Sequence, residues 1–434
     1  MNWTEEQILS LAPDESSKKS GRELASPSKW VSLYINEKAV WGECKGSGAN
    51  PYKTQIDLGN IAFKCSCPSR KFPCKHGIGL FLLYARQPKD FSQSEMPAWV
   101  SEWLEKRNEK QEKKTEAEST VIPDPDAKAK RVASRQKKVE DGIEELQLWI
   151  KDIIRNGILN MPEKGFAFWE NMTKRMVDAQ APGLASMVKS LGNTNFFSEE
   201  WQTKFLDQLS RIHLVIESYK RIDSLPENLR SDIRSLIGFT QSQDELKAQQ
   251  GLADVWIVLG KQVLQDDNLT VERNWFYGIQ SKRYALILQF YVKAQLPPLN
   301  FAAGSSIIAE LVFFLSAFPL RAILKQLDHA QEGMPCEGFK SWNDVMNFEG
   351  SVSAASPFVD QLPVIVEEIL PVKKNNTWWM KDKEGFGVQL KSNEQKIMKL
   401  LAMSGGKPLD LFLVGRENSF EPVGVWYNRQ YKSL

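Results

Sequence analysis

Three cysteines and one histidine fall within twelve residues of this chain, and this cluster constrains the fold more than any other feature. They are Cys65, Cys67, Cys74 and His76, in the pattern C-x-C-x6-C-x-H. A zinc ion needs four such side chains, converging on a tetrahedron at ~2.0–2.3 Å from the metal. Residues i and i+2 of a strand face the same side, so Cys65 and Cys67 can bind one edge of the ion. Cys74 and His76 can bind the opposite edge. Four protein ligands leave no open position, and the spacing therefore predicts one structural zinc ion.

The other cysteines are consistent with this interpretation. The 434-residue chain has five cysteines, an odd number, and a chain of this length can bury a core without disulfides. Cys44 and Cys336 are predicted to be free thiols, although Cys44 is close enough in sequence to be an alternative zinc ligand. The N-terminus is polar where a secretory signal would be basic and then apolar. We therefore expect a cytoplasmic protein.

No segment reads as a membrane span. The most apolar stretch, residues 301–318, contains Glu310 near its centre and is barely long enough to cross a bilayer. It is predicted to be a buried core element, and we expect no membrane partner.

Hydrophobic periodicity and charge divide the chain into four regions. Residues 1–104 are predicted to form a zinc module, 105–138 a charged flexible linker, 139–251 a helical region and 252–434 a mixed α/β region. In the linker, ten of the fourteen residues 105–118 are charged, five of each sign. The fold class is therefore α+β: a small zinc-stabilised ββ(β)α module, then a larger, mainly helical unit with a β-containing C-terminal part.

Individual elements follow from the same patterns. In the zinc module, helices are predicted over 4–11 and 77–86 and strands over 30–35, 39–41, 52–58 and 61–64. Further helices are predicted over 143–154, 166–177, 199–218 and 227–237. Aromatic and β-branched residues predict strands over 255–259, 274–279 and 284–292, and shorter strands within 378–390 and 409–427.

The formal net charge of +2 conceals a basic region around the cluster. Residues 41–90 contain eight Lys or Arg against three acids, interleaved with aromatic residues, which is typical of phosphate contact and base stacking. The alternative is that these cations offset the thiolate charge while the aromatics form the small core. The candidate partner-contact residues are Lys45, Lys53, Lys64, Arg70, Lys71 and Lys75.

The cluster and its flanks resemble the SWIM zinc finger family. The resemblance is carried by Trp41-Gly42-Glu43-Cys44, by Pro51-Tyr52 and by residues 63–76, which contain the cluster. It implies a small β-sheet and a following helix that enclose zinc, with the ligand roles at the four cluster residues. The longer chain also resembles bacterial SWIM-containing proteins whose genes lie beside those of MoxR-type AAA+ ATPases and von Willebrand factor A proteins.

That resemblance implies binding to DNA or protein. SWIM modules also occur in Snf-type ATPases and Mutator-type transposases, but this chain carries neither a helicase nor a transposase signature. We expect a zinc-binding interaction protein that docks to a protein, possible partners being a MoxR-type ATPase or a von Willebrand factor A protein, or to nucleic acid. One alternative is a sequence-tolerant DNA-binding protein that uses the basic zinc module.

A second alternative is an enzyme with its site in residues 139–434. Asp328-His329 and Cys336 could suggest a Cys/His nucleophile pair, but no third orienting group is in view. We therefore expect no catalytic residues.

Overall fold

The computed structural model describes residues 3–46, 50–59, 61–69, 71–117, 125–266, 269–292, 297, 299–331, 336–428 and 430–434. Within them the chain is α+β, as predicted: an N-terminal sheet with flanking helices, a helical bundle and two further sheets. None of the described helices is long and apolar enough to cross a membrane.

Two capped helices begin the zinc module. α1 (Glu5–Ser10) starts at Thr4, whose hydroxyl accepts the Gln7 N–H while the Gln7 side chain accepts the Thr4 N–H, which is a complete capping box. This confirms the helix predicted over 4–11. α2 (Glu15–Leu24) starts at Asp14, whose carboxylate accepts the Ser17 N–H.

The first sheet has five strands and carries the zinc cluster. They are β1 (Trp30–Ile35), β2 (Ala39–Cys44), β3 (Tyr52–Asp57), β4 (Ala62–Cys65) and β5 (Ser92–Gln93). The order is β4-β3-β2-β1-β5, with β5 parallel to β1 and the other pairs antiparallel. α3 (Lys75–Arg86) packs on one face through buried residues that include Ile78 and Phe81. Four of these strands and the helix were predicted; β5 was not.

The charged segment 105–138 differs from the predicted flexible linker. α4 (Ala98–Ala117) covers its first part and α5 (Pro125–Asn156) its last part, while residues 118–124 lie outside the described residues. A charged sequence is helical here because the two helices extend from apolar anchors at either side, Val100 in α4 and Val139 in α5.

A helical bundle follows. It contains α5, α6 (Phe166–Asp178), α7 (Pro182–Gly192), α8 (Trp201–Lys220) and α9 (Glu227–Ile237), and the short α10 (Gln243–Lys247) comes next. α5 ends at Asn156, and Gly157 follows it with φ +79°, a backbone conformation that glycine adopts readily. α7 was not predicted. The helix has only 11 residues, and its buried side chains, such as Leu184 and Val188, pack in the bundle core.

The second sheet is antiparallel and has the order β10-β9-β6-β7-β8. Its strands are β6 (Leu252–Asp266), β7 (Leu269–Gly278), β8 (Tyr284–Val292), β9 (Ser306–Phe313) and β10 (Ala322–Gln331). β9 lies within the apolar stretch 301–318. One end of the sheet meets the zinc module, where Asn300 Nδ2 donates to the Ile61 carbonyl at 2.9 Å.

The third sheet closes into a barrel. After α11 (Trp342–Ala355), its elements are β11 (Leu362–Lys374), β12 (Thr377–Lys381), β13 (Gly387–Leu390), α12 (Glu394–Ser404), β14 (Leu409–Arg416), β15 (Ser419–Tyr427) and β16 (Gln430–Ser433). The order is β13-β12-β11-β14-β15-β16, and β13 also pairs with β15, so the first five strands form a ring. The second sheet packs on the barrel through residues such as Trp275 and Phe412.

Candidate metal centre

The four cluster residues converge at the junction between β4 and α3. Cys65 ends β4, Cys67 follows two residues later, Cys74 is the N-cap residue of α3 and His76 lies in its first turn. The four potential ligand atoms all lie within 4.8 Å of one another. His76 Nδ1 is 3.7 Å from Cys65 Sγ and 3.9 Å from Cys74 Sγ. Ligands of a tetrahedral zinc ion are separated by about 3.6–3.8 Å, so these residues fit zinc.

Neighbouring side chains hold the ligands in place. Thr54 Oγ1 lies 3.2 Å from Cys65 Sγ, and the His76 ring packs against the Tyr52 ring with centroids 4.9 Å apart. A Cβ at Gly77 would lie 3.0 Å from Phe63 Cδ1, so glycine allows the start of α3 to approach the sheet. Outer contacts of this kind fix ligand orientation and tune the metal.

The thiol pKa values indicate that the cluster is built for a cation. A hydrogen bond from the Cys74 thiol, with further help from His76, lowers the pKa of Cys65 to about 4. The same contact raises the pKa of Cys74 far above its ordinary value, and burial adds to the rise. Burial also raises the pKa of Cys67. Three thiols this close cannot all ionise without a compensating positive charge, which Zn²⁺ supplies.

Cys44 lies outside the four-residue cluster. Its side chain is fully buried in the core between the sheet and α3, and its Sγ approaches the Lys29 carbonyl at 3.6 Å. Burial raises the pKa of this thiol to about 11, so it stays protonated near neutral pH.

The candidate partner-contact residues do not form one open surface. Lys71 pairs with Asp14 at 2.8 Å, Lys45 Nζ donates to the Ser28 carbonyl at 2.9 Å, and Lys53 Nζ lies 5.7 Å from the Trp99 ring centroid. Lys64 and Lys75 are exposed beside the cluster. Arg70 lies outside the described residues.

The first half of α4 covers the face of the sheet opposite α3, which the sequence analysis missed. Val100 packs with Ala39 and Trp41 of β2 in a small buried cluster. Gln55 Nε2 donates to the Trp99 carbonyl at 3.1 Å, and Arg107 lies 3.7 Å from Asp57. The helical spacing of the apolar residues Trp99, Val100, Trp103 and Leu104 could have predicted a helix with an apolar face here, though not the sheet that it covers.

Comparison with protein families agrees with this geometry. Residues 52–85 match the family model of the SWIM zinc finger, and residues 134–237 match that of the SWIM-associated four-helix bundle domain. The chain therefore contains a SWIM zinc finger followed by a SWIM-associated four-helix bundle domain. The first match contains all four cluster residues, and the second lies on α5 to α9. The SWIM zinc finger and the cluster together identify one structural zinc ion. None of the curated proteins compared matches the chain significantly.

The region proposed for an alternative active site contains a cleft of about 410 Å³ between the bundle and the second sheet. Both carboxylates that line the cleft already have partners. Asp232 accepts the Ala317 N–H at 3.0 Å, and Asp360 pairs with Arg211 at 2.6 Å. Burial raises the pKa of Cys336 to about 12, which opposes its use as a nucleophile. The side chain of His329 lies outside the described residues.

Proposed function

We propose that the protein is a non-enzymatic interaction protein in which zinc is structural and the SWIM module docks to a partner. The closed ligand set carries this proposal. Cys65, Cys67, Cys74 and His76 would fill all four positions of a tetrahedral zinc ion and leave none for a substrate or an activated water. We further propose that it acts in the cytoplasm, where thiol ligands stay reduced.

We propose a protein as the partner of the zinc module. Three of the six candidate cations already have contacts within the module, with Asp14, the Ser28 carbonyl and the Trp99 ring. All three stay exposed, but each contact ties the cation to a group of its own module, which leaves less of its charge for phosphates. The resemblance to bacterial SWIM-containing proteins makes a MoxR-type AAA+ ATPase and a von Willebrand factor A protein the first partners to test.

DNA binding by the zinc module is the second candidate. It is supported by the exposure of Lys64 and Lys75, which flank the cluster at the end of β4 and the start of α3. Both could contact phosphates without any rearrangement of the sheet.

Affinity purification of the full chain from native cells, with and without nuclease, separates the two candidates. We expect the co-purifying proteins to survive nuclease treatment. The double variant Lys64→Glu, Lys75→Glu should then keep those proteins and its zinc. Lys89→Glu, an exposed lysine of the same module, is the control for the change in charge.

Loss of every partner on nuclease treatment, together with loss of binding in the double variant at unchanged zinc content, would favour DNA. Zinc-dependent turnover of a substrate by the purified chain would contradict a non-enzymatic role.

A further inference from the structure

The C-terminal barrel has a connectivity that the sequence did not reveal. Its first five strands run β11-β12-β13-β14-β15, with α12 between the third and fourth. The first strand is shared: residues 362–369 pair with β14 and residues 370–374 with β12, on either side of an irregularity at which Glu368 adopts φ +55°. The third and fifth strands pair in parallel. A five-stranded barrel with this connectivity has the arrangement of an OB-fold.

Only part of the barrel is covered by the second sheet. The contact involves Ile365 of β11, Phe412 and Val414 of β14 and Val423 of β15. On β12 and β13, Met380 and Val388 point into the barrel core. The alternate residues therefore point outward, and Lys381 and Gln389 are exposed.

The outward face of β12 and β13 presents aromatic surface. Trp379 lies directly opposite Gln389, and a Cβ at Gly387 would lie 3.8 Å from Trp379 Cε3, so the indole lies beside a residue without a side chain. Phe386, in the turn between the two strands, is 58% exposed. Its ring is therefore accessible to a flat partner from solvent.

The turn that carries Phe386 is ordered by a buried carboxylate. Asp382 is 5% exposed, and its two oxygens accept the N–H groups of Phe386 and Trp342, each at 2.9 Å. The aromatic ring is thus displayed on a fixed turn.

The charge of this face is positive. Lys374, Lys381, Lys383 and Lys391 lie on it or beside it and are exposed, against one exposed acid, Glu384. Asp382 is buried and engaged, and Lys373 lies on the other side of the pleat, 5.6 Å from the Trp378 ring centroid. Lysines interleaved with exposed rings on a barrel face fit a chain with a regular negative charge and flat groups that stack.

We propose that the outward face of β12 and β13, with the turn at Phe386, binds single-stranded nucleic acid. Phe386 supplies the main stacking surface for bases, the accessible part of the half-buried Trp379 ring extends it, and the lysines contact phosphates. Such contacts are tolerant of sequence because every base has a stacking face. This site is separate from the zinc module and does not depend on the partner of that module.

The test is fluorescence anisotropy of the full zinc-loaded chain with a labelled oligothymidylate of about 15 nucleotides, the matching oligouridylate and a duplex of equal length. We expect both single strands to bind more tightly than the duplex. Phe386→Ala should weaken binding about tenfold, whereas Phe290→Ala, which removes a ring that is 51% exposed on β8, should leave it unchanged.

Lysine variants provide an independent measurement. Lys381→Glu should weaken binding and make the slope of log affinity against log salt shallower by about 0.7 or more. Lys151→Glu, an exposed lysine of α5, should do neither. The relative affinities for the two single strands distinguish DNA from RNA.

Three results would overturn the proposal: no binding of either single strand at low salt, equal binding of the duplex, or wild-type affinity in both Phe386→Ala and Lys381→Glu. A fourth such result would be loss of binding in Lys64→Glu with binding kept in the barrel variants, because the nucleic acid would then contact the zinc module.

Discussion

The zinc module and the helical bundle match two separate family models. They differ in how the segments that connect their helices and strands are stabilised. In the bundle, the ends of helices are joined by short connections and a continuous apolar core includes Trp169, Phe205 and Ile216. In the zinc module the sheet and α3 also share an apolar core, but the segment between β4 and α3 contributes little to it. That segment supplies Cys67 and Cys74, so metal coordination replaces apolar burial there. The chain thus uses two sources of stability: apolar burial in the bundle, and metal coordination in the segment between β4 and α3.

The largest expected effect is loss of zinc. Cys67→Ser should abolish metal binding and remove a free energy of folding of order ~10 kcal/mol from the zinc module, while the bundle stays folded. Metal analysis should find about one zinc per chain in the wild type and none in the variant. Hydrogen exchange should become fast in residues 52–86 and remain slow in α8. Cys336→Ser is the control and should keep its zinc; zinc retained in Cys67→Ser would refute the ligand set.

The reverse experiment perturbs only the bundle. Phe205 is fully buried, and Phe205→Ala should destabilise the bundle by about 3–5 kcal/mol because it removes a large core side chain. Phe197→Ala, at a fully exposed ring of the same bundle, should change the free energy of unfolding by less than about 0.5 kcal/mol. Hydrogen exchange in α5 to α9 measures the change in stability in both variants. If zinc content also falls in Phe205→Ala, the two regions do not fold independently.

The contact between α4 and the sheet should have an intermediate effect. Val100 is fully buried against β2, and Val100→Ala should weaken the attachment of α4 by about 2 kcal/mol. Limited proteolysis within residues 98–107 should become faster at unchanged zinc content. Val31→Ala, at a 58% exposed valine of β1, should leave the cleavage rate as in the wild type. Equal rates in both variants would show that α4 is held by other residues.

The smallest effect concerns the ion pair between Lys71 and Asp14. The hydrogen bond from Lys71, with the Ser17 N–H, lowers the pKa of Asp14 to about 2. A lowered carboxyl pKa stabilises the fold above the ordinary pKa of 3.8, and that contribution is lost as the pH falls towards 2. Lys71→Met should raise the pKa of Asp14 in an NMR titration. Lys18→Met removes the partner of Glu15 and should leave the Asp14 pKa unchanged. An Asp14 pKa that stays low in Lys71→Met would instead assign the shift to the Ser17 contact at the helix cap.

Much of the zinc module could be predicted because its signals are local. The spacing of Cys65, Cys67, Cys74 and His76 predicted the cluster, and the alternation of residues 52–58 predicted β3. α4 was missed because its charged second half masked the apolar spacing of Trp99, Val100 and Trp103. α7 was missed although its buried residues Leu184, Val188 and Leu191 recur at helical spacing. The first half of β11 pairs with β14, a strand distant in sequence, and no local pattern predicts that pairing.

The sequence by itself determined the metal chemistry and the ends of many helices. Ligand identity, ligand spacing and the helix stop at Gly157 involve residues that are close along the chain, and their geometry is fixed by local backbone structure. Only the tertiary structure decided that α4 covers the sheet, that most of the candidate lysines are engaged and that β13 pairs with β15 to close the barrel. Those arrangements join residues far apart in the chain, and their stability depends on complementary packing that no local pattern records.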